Sequence, residues 1–246
     1  MARGVVRAAR RSLAAACAAG LLAATSARAD ELELPPKAEA EAAPASRYAR
    51  MTKEEALAEL RRRKIAFEEV VAAAGVVAPI RLAGPLHGVT IHSSLPVEQR
   101  RTTPFEILDA RLALALDDFA AVLENHGVAE VIHFTMYRPN DDAREGTAAV
   151  RTRHPGGMAI DVGGLKKTSG ATLSVQGHWP PGIGAKTCGP TARRLPARRG
   201  RELESIVCEA RDLRLFHAIL TPHFNRAHHD HVHLEIKPDT AWFLIH

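Results

Sequence analysis

Cysteine is scarce: the 246 residues hold three, Cys17, Cys188 and Cys208, and the last two are too far apart for the paired spacing of a cysteine-ligated metal module. Long apolar runs are missing as well. The one candidate, Leu13 to Ala24, is too short for a comfortable membrane span, and nothing after it qualifies. No internal repeat appears, which excludes a solenoid or an array. A dominant charge is also absent. The chain has 33 Lys+Arg against 28 Asp+Glu, and its first 29 residues hold five Arg and no acid, leaving 28 against 28. A neutral chain gives no global electrostatic case for nucleic acid. One basic run, Lys186 with Arg193, Arg194, Arg198, Arg199 and Arg201, reads as a solvated loop.

The first 29 residues have the form of a secretory leader. Arg3, Arg7, Arg10 and Arg11 precede the apolar stretch, and Ala27-Arg28-Ala29 supplies a small-x-small cleavage site, so the mature chain is expected to begin at Asp30 and to be exported. Arg10-Arg11 fits a twin-arginine export signal, and Ala14-Ala15-Ala16 before Cys17 makes a poor lipoprotein box. Removing Cys17 leaves Cys188 and Cys208, and an even count in an exported protein predicts a bridge between them.

Residues 30–50, rich in Ala, Glu and Pro, read as a flexible linker. Residues 51–103 read as an N-terminal helix followed by an irregular segment. The helix is expected over Thr52 to Ala74, with a Thr52–Glu55 capping box, an apolar stripe of Leu57, Leu60, Phe67 and Val71, and Gly75 at its end. Strand-like pieces follow at Ile80 to Leu82 and Val89 to His92. A second helix is expected from Pro104 to Gly127, carrying Leu108, Leu112, Leu116, Phe119 and Leu123. The alternation over Val128 to Tyr137 predicts a strand with Ile132, Phe134 and Met136 on one face, and Pro139-Asn140-Asp141-Asp142 stops it. Short strands are expected at Met158 to Val162, Ala171 to Val175, Ala218 to Thr221 and His231 to Ile236. A third helix from about Gly200 to Phe216 buries Leu203, Val207, Ala210 and Leu213. Separate helices and short strands point to an α+β fold, one domain over residues 104–246.

Thirteen histidines are present, and five of them (His223, His228, His229, His231, His233) fall within eleven residues. In His231-Val232-His233-Leu234-Glu235-Ile236, strand alternation puts His231, His233 and Glu235 on one face, with Val232, Leu234 and Ile236 toward the core. Two imidazoles then project from one rigid element. Earlier, His154 precedes a Gly156-Gly157 turn and a strand in which Met158, Ile160 and Val162 point inward, leaving Asp161 free to approach His154. Two imidazoles and a carboxylate match the donor set of catalytic zinc, one ion per chain, with a fourth position left for water.

Thr152-x-His154-x-x-Gly157-x-Ala159-x-Asp161 resembles the Ser-x-His-x6-Asp motif of the lysostaphin-type, D-Ala-D-Ala-metallopeptidase and hedgehog-like (LAS) zinc proteins, and Met136-Tyr137-Arg138-Pro139 resembles the Gly-Tyr-Arg motif of the D-Ala-D-Ala branch. The run from Leu215 to Glu235, with Cys208 and Trp179, is similar to the C-terminal signature of bacterial extensin-like domain proteins. This second resemblance covers roughly residues 104–236, is weak over 163–201 and is absent before about residue 80. Together they imply a LAS-type core with a small antiparallel sheet flanked by helices, zinc held by His154, Asp161 and His233, and Arg138 holding a substrate carboxylate or developing negative charge. His231 is the accessory imidazole. Thr152 stands where the motif has Ser, and Asp230 occupies the slot of a Glu general base, so the base is either Asp230 or His231. His228 and His133 are candidates for supporting positions, His133 being expected foremost as a core histidine.

These expectations add up to a monomeric, exported peptidase in the periplasm or on the surface of a bacterium, acting on a peptide bond of cell-wall peptide. Two rivals stay open: a zinc-containing wall-binding module without turnover, and a metal-delivery protein using the histidine cluster.

Overall fold

A computed structural model of the chain describes Met1, residues 31–139 and residues 153–246. The rest of the leader with Cys17, the turn residues Asn140, Asp141 and Asp142, and Thr152 lie outside the described residues.

The segment read as a flexible linker is ordered from residue 31. It forms strand β1 (Glu31–Glu33), helix α1 (Lys37–Ala42) and helix α2 (Pro44–Ala49), and β1 pairs antiparallel with the C-terminal strand Phe243–Ile245. Ala40, Ala43, Ala45, Tyr48 and Ala49 are buried. Low hydrophobicity misleads here because alanine is both the best helix former and small enough for close packing. Tyr48 adds a polar tie, its hydroxyl donating to Asp118 Oδ2 at 2.5 Å and accepting from Arg63 at 2.7 Å.

Helix α3 (Lys53–Arg62) starts with the expected capping box, Glu55 N–H to Thr52 Oγ1 and Thr52 N–H to the Glu55 carboxylate. It stops twelve residues before the expected end at Ala74. Lys64 takes a left-handed backbone (φ 60°), its N–H bonds the Arg61 carbonyl and the Ile65 N–H bonds Leu60, the paired bonds of a Schellman ending. Phe67 therefore belongs to strand β2 (Phe67–Glu69), and Val71 is fully exposed. Strand β3 (Pro79–Leu82) pairs with β2, and β4 (Thr90–Ser93) and the short helix α4 (Val97–Arg100) follow in the chain.

The second expected helix begins later than Pro104. A 3-10 turn (Pro104–Glu106) and strand β5 (Leu108–Asp109) come first, and β5 completes a three-stranded sheet with β3 and β2. Helix α5 (Ala110–Asn125) is capped by Asp109 and ends before Gly127, whose φ of 66° suits glycine. Asp109 is wholly buried. It clasps Arg111 at 2.7 and 2.9 Å and accepts the N–H groups of Val77 and Ala78. This central helix packs against α2, α3, the strand Val128–His133 and the helix Arg198–Asp212.

Strand β6 (Val128–His133) ends earlier than expected. Alternation holds to its end, with Val131 and His133 buried on one face and Phe134 partly exposed on the other, while the pairing with β7 (Ala159–Lys167) shifts register between Ile132 and His133. After β7 come β8 (Thr172–Ser174), the short α6 (Val175–His178) and α7 (Arg198–Asp212). Helix α7 buries Leu203, Ile206, Val207 and Ala210, but Leu213 caps it and is 48% exposed because the chain turns away at left-handed Arg214. Strands β9 (Ala218–Leu220), β10 (Val232–Glu235) and β11 (Phe243–Ile245) close the fold.

Among the described residues the main sheet has eight strands in the order β1-β11-β9-β10-β7-β6-β4, with β8 also on β7. The α+β class stands, but the sheet is larger than expected and mixed, since β4–β6 and β11–β9 run parallel. Strand β4 from residues 51–103 and β7 from the later part share this sheet, so both belong to one folded unit. Among the described residues no helix is long and apolar enough to cross a membrane.

Candidate metal centre

The site is built on β7 and β10, which pair antiparallel with His233 opposite Asp161. Apolar residues on the alternate positions fix the facing: Ile160, Val162, Val232 and Leu234 are in the core, which turns Asp161 and His233 to the other side. His154 arrives on a 3-10 turn (His154–Gly156) that reverses the chain into β7. Gly157 closes the turn in a left-handed conformation (φ 63°), and a Cβ there would lie 2.8 Å from the Asp109 backbone N. Only glycine fits both constraints. The Gly157 carbonyl accepts the Asp109 N–H, so the turn is tied to the start of α5.

These elements bring His154, Asp161 and His233 together, each with one ligand atom within 4.8 Å of the others. Asp161 Oδ1 lies 3.1 Å from His154 Nε2 and 2.9 Å from His233 Nδ1. All three side chains are buried. Burial pushes the Asp161 carboxyl up, but the bonds from His154 and His233 outweigh it and hold it well below the usual carboxylate range. Burial likewise lowers the His233 imidazolium, and the Asp161 and Glu235 carboxylates outweigh it and raise it.

The donor set suits a cation. His154 Nδ1 faces the Met136 carbonyl at 3.4 Å, an acceptor that requires the ring proton on that nitrogen. His154 Nε2 is then the nitrogen turned to the Asp161 carboxylate, and a second nitrogen, His233 Nδ1, converges on the same oxygen. Two imidazole nitrogens and one carboxylate converging on one point are borderline donors of the kind that suit zinc.

A cleft of about 560 Å³ opens over the triad. Arg138, Arg153, His228 and His231 line it with the three buried groups. The Arg138 backbone N–H bonds the His154 carbonyl, and its guanidinium reaches 3.8 Å from Asp161 Oδ2 while remaining 59% exposed. His231 Nε2 is 3.5 Å from Asp161 Oδ1, and its Nδ1 is bonded to Asp230 Oδ1 at 2.8 Å. Asp230 therefore meets the cleft through His231 and does not line it. His228 Nδ1 is held by Asn225 at 2.8 Å, and its ring stacks obliquely on His231 at 5.1 Å. Burial, with the neighbouring His231 and His233, lowers His228 to about 4.

Other candidates lie elsewhere. His133 is buried behind the cleft, facing Glu106 at 3.6 Å. His223 is buried between Trp179 and Thr187, and His229 is half-exposed with its Nδ1 on the Arg226 carbonyl. Cys188 and Cys208 form a disulfide that ties the loop before α7 to the helix itself. Two residues given no role from sequence stand beside the triad. Glu235 lies 3.5 Å from His233 Nε2, and Arg153 lies 3.8 Å from Glu235. The signal for Glu235 was present in the β10 alternation; Arg153 carried none beyond its place next to His154.

A family model described as the extensin-like protein C-terminus matches residues 51–244. The match reaches back well before residue 80, where the resemblance was expected to fade. No curated protein and no solved structure matches the chain.

Proposed function

The chain belongs to the extensin-like protein C-terminus family, and from that premise we propose that it is an exported zinc-dependent peptidase cutting a peptide bond in bacterial cell-wall peptide. The observation that carries this reading is the buried His154–Asp161–His233 triad beneath an open cleft that also presents His231 and Arg138. Kinship with the LAS zinc peptidases is part of the same reading and rests on the order of the motifs in the chain. Export rests on the leader form of residues 1–29 and is supported by the disulfide, since such bonds persist in oxidising compartments.

His154, Asp161 and His233 would hold the ion. Zinc, when bound, polarises a scissile carbonyl and acidifies an attacking water. His231 is the group we assign as general base. Its Nδ1 donates to Asp230, which fixes the tautomer and leaves Nε2 bare toward the cleft to accept a proton and later return it to the leaving amine. Asp230 thus orients His231, and the carboxylate is spared from meeting substrate directly. Arg138, exposed at the cleft edge with a planar fork of donors, suits a substrate carboxylate or the charge that develops on the carbonyl oxygen.

The test is zinc content followed by digestion of isolated peptidoglycan. The purified mature protein is expected to hold about one zinc per chain, to lose it in His154→Ala and His233→Ala, and to release fragments detectable by mass spectrometry. Full zinc occupancy in either variant overturns the ligand assignment. A filled site that releases nothing from any wall preparation overturns the peptidase and favours a binding module.

A further inference from the structure

Strand β10 turns one more polar side chain to the side of the triad than the ligand set uses. Glu235 is 3% exposed, as deep as the core residues around it. It stands opposite Ala159 on β7 and Ala218 on β9, two small residues that leave room for its carboxylate. A buried carboxylate is costly unless positive or proton-donating groups meet it. Two do. Glu235 Oε2 lies 3.5 Å from His233 Nε2 and 3.8 Å from Arg153 Nε, and Oε1 has no hydrogen-bond partner among the described residues.

Each contact leads to a different half of the triad. His233 Nδ1 is turned to Asp161 Oδ1, so Nε2 is the nitrogen that faces Glu235. An imidazole that offers one nitrogen to a metal carries its proton on the other, and a carboxylate at that proton fixes both tautomer and ring orientation. Arg153 immediately precedes His154 and sits at φ 54°, ψ −150°, a left-handed conformation that costs a non-glycine residue about 1–3 kcal/mol. Its side chain, 67% exposed, reaches back over the turn toward Glu235.

We propose that Glu235 is the positioning residue of the metal centre. Its carboxylate holds His233 in the Nε2–H tautomer with Nδ1 toward Asp161 and His154, and its attraction for Arg153 steadies the turn that carries His154. This rests on the zinc reading above.

The experiment measures zinc affinity by competition with a chromophoric chelator, using the mature protein and the variants Glu235→Gln and Arg153→Ala. Glutamine preserves the size of the side chain and loses its charge, so a merely space-filling role predicts unchanged binding. The expected result is zinc binding weakened about 10–100-fold in Glu235→Gln and less in Arg153→Ala. Should Glu235→Gln not fold, nitrogen–proton correlation spectra of the zinc-loaded wild type decide the matter. They are expected to show the His233 proton on Nε2, and a proton on Nδ1 overturns the proposal. An unchanged affinity in Glu235→Gln overturns this proposal alone. A wild-type protein that binds no zinc overturns the zinc reading, and the positioning role falls with it.

Discussion

His233 and Asp161 stand opposite each other on one rung of the β10–β7 ladder, with His233 Nδ1 2.9 Å from Asp161 Oδ1. The pairing joins residues 72 positions apart in the chain. A slip of one residue in either strand would turn one of them into the apolar layer formed by Ile160, Val162, Val232 and Leu234. The apolar face of the ladder therefore sets the geometry of the polar one.

If the protein is the proposed peptidase, the His231–Asp230 pair separates chemistry from metal binding. With Asp230 on Nδ1 and the cleft on Nε2, His231→Ala is expected to keep its zinc and lose about 10²–10⁴-fold in turnover of peptidoglycan fragments. Asp230→Asn is expected to lose less, because the base survives with poorer orientation. Paired zinc analysis and initial rates give the answer, and a larger loss in Asp230→Asn would make Asp230 the base.

Asp109 is a buried stability determinant close to the site. It is fully buried, holds the Arg111 guanidinium through two bonds, receives three backbone N–H groups (Val77, Ala78 and Arg111) and abuts the Gly157 turn. Asp109→Ala leaves a buried guanidinium unpaired and is expected to lower the unfolding free energy by about 3–5 kcal/mol in urea titrations. A loss under 1 kcal/mol would show that the pair is solvated and dispensable.

Cys188 and Cys208 close a loop with a sequence separation of 20. Chain-entropy arguments assign such a closure about 3 kcal/mol. The double serine variant is expected to unfold at correspondingly lower denaturant concentration, and two free thiols in the purified, unreduced protein would refute the bridge.

His217 makes the protein acid-sensitive away from the cleft. Burial holds its imidazolium down at about 4 against an ordinary 6.5. Its Nδ1 accepts the Lys237 N–H at 2.9 Å, which only the neutral ring can do, and Nε2 faces Ser46 Oγ at 3.1 Å. The folded value lies below the unfolded one, so the stabilisation is complete above pH 6.5 and is lost as pH falls from there through 4. Unfolding free energies at several pH values are expected to fall less steeply across that window in His217→Asn. An identical slope in the variant would remove His217 as a source of the sensitivity.

Legibility in the sequence followed the range of the signal. The Thr52–Glu55 capping box and the end of α5 at Gly127 are local and were readable. The ends of α3 and α7 were not, because Lys64 and Arg214 fill the left-handed slot where glycine is the usual sign. The end of β6 at His133 was not readable either, because the irregularity between Ile132 and His133 arises in the pairing of β6 with β7 and leaves no mark on the alternation.

The sequence alone determined the chemistry available to the site. His154, Asp161, His231 and His233 are donors by residue type, and strand alternation already turned Asp161 and His233 away from the core. It also left Cys188 and Cys208 to each other. Only the tertiary structure decided that β7 and β10 are neighbours in the register that converges three candidate ligands, that Asp230 meets the cleft through His231, and that Glu235 and Arg153 back the triad. Facing is a property of one strand and repeats every two residues. Adjacency is a property of the whole packed sheet, including the alanine-rich residues 31–50 whose order comes from packing against the rest.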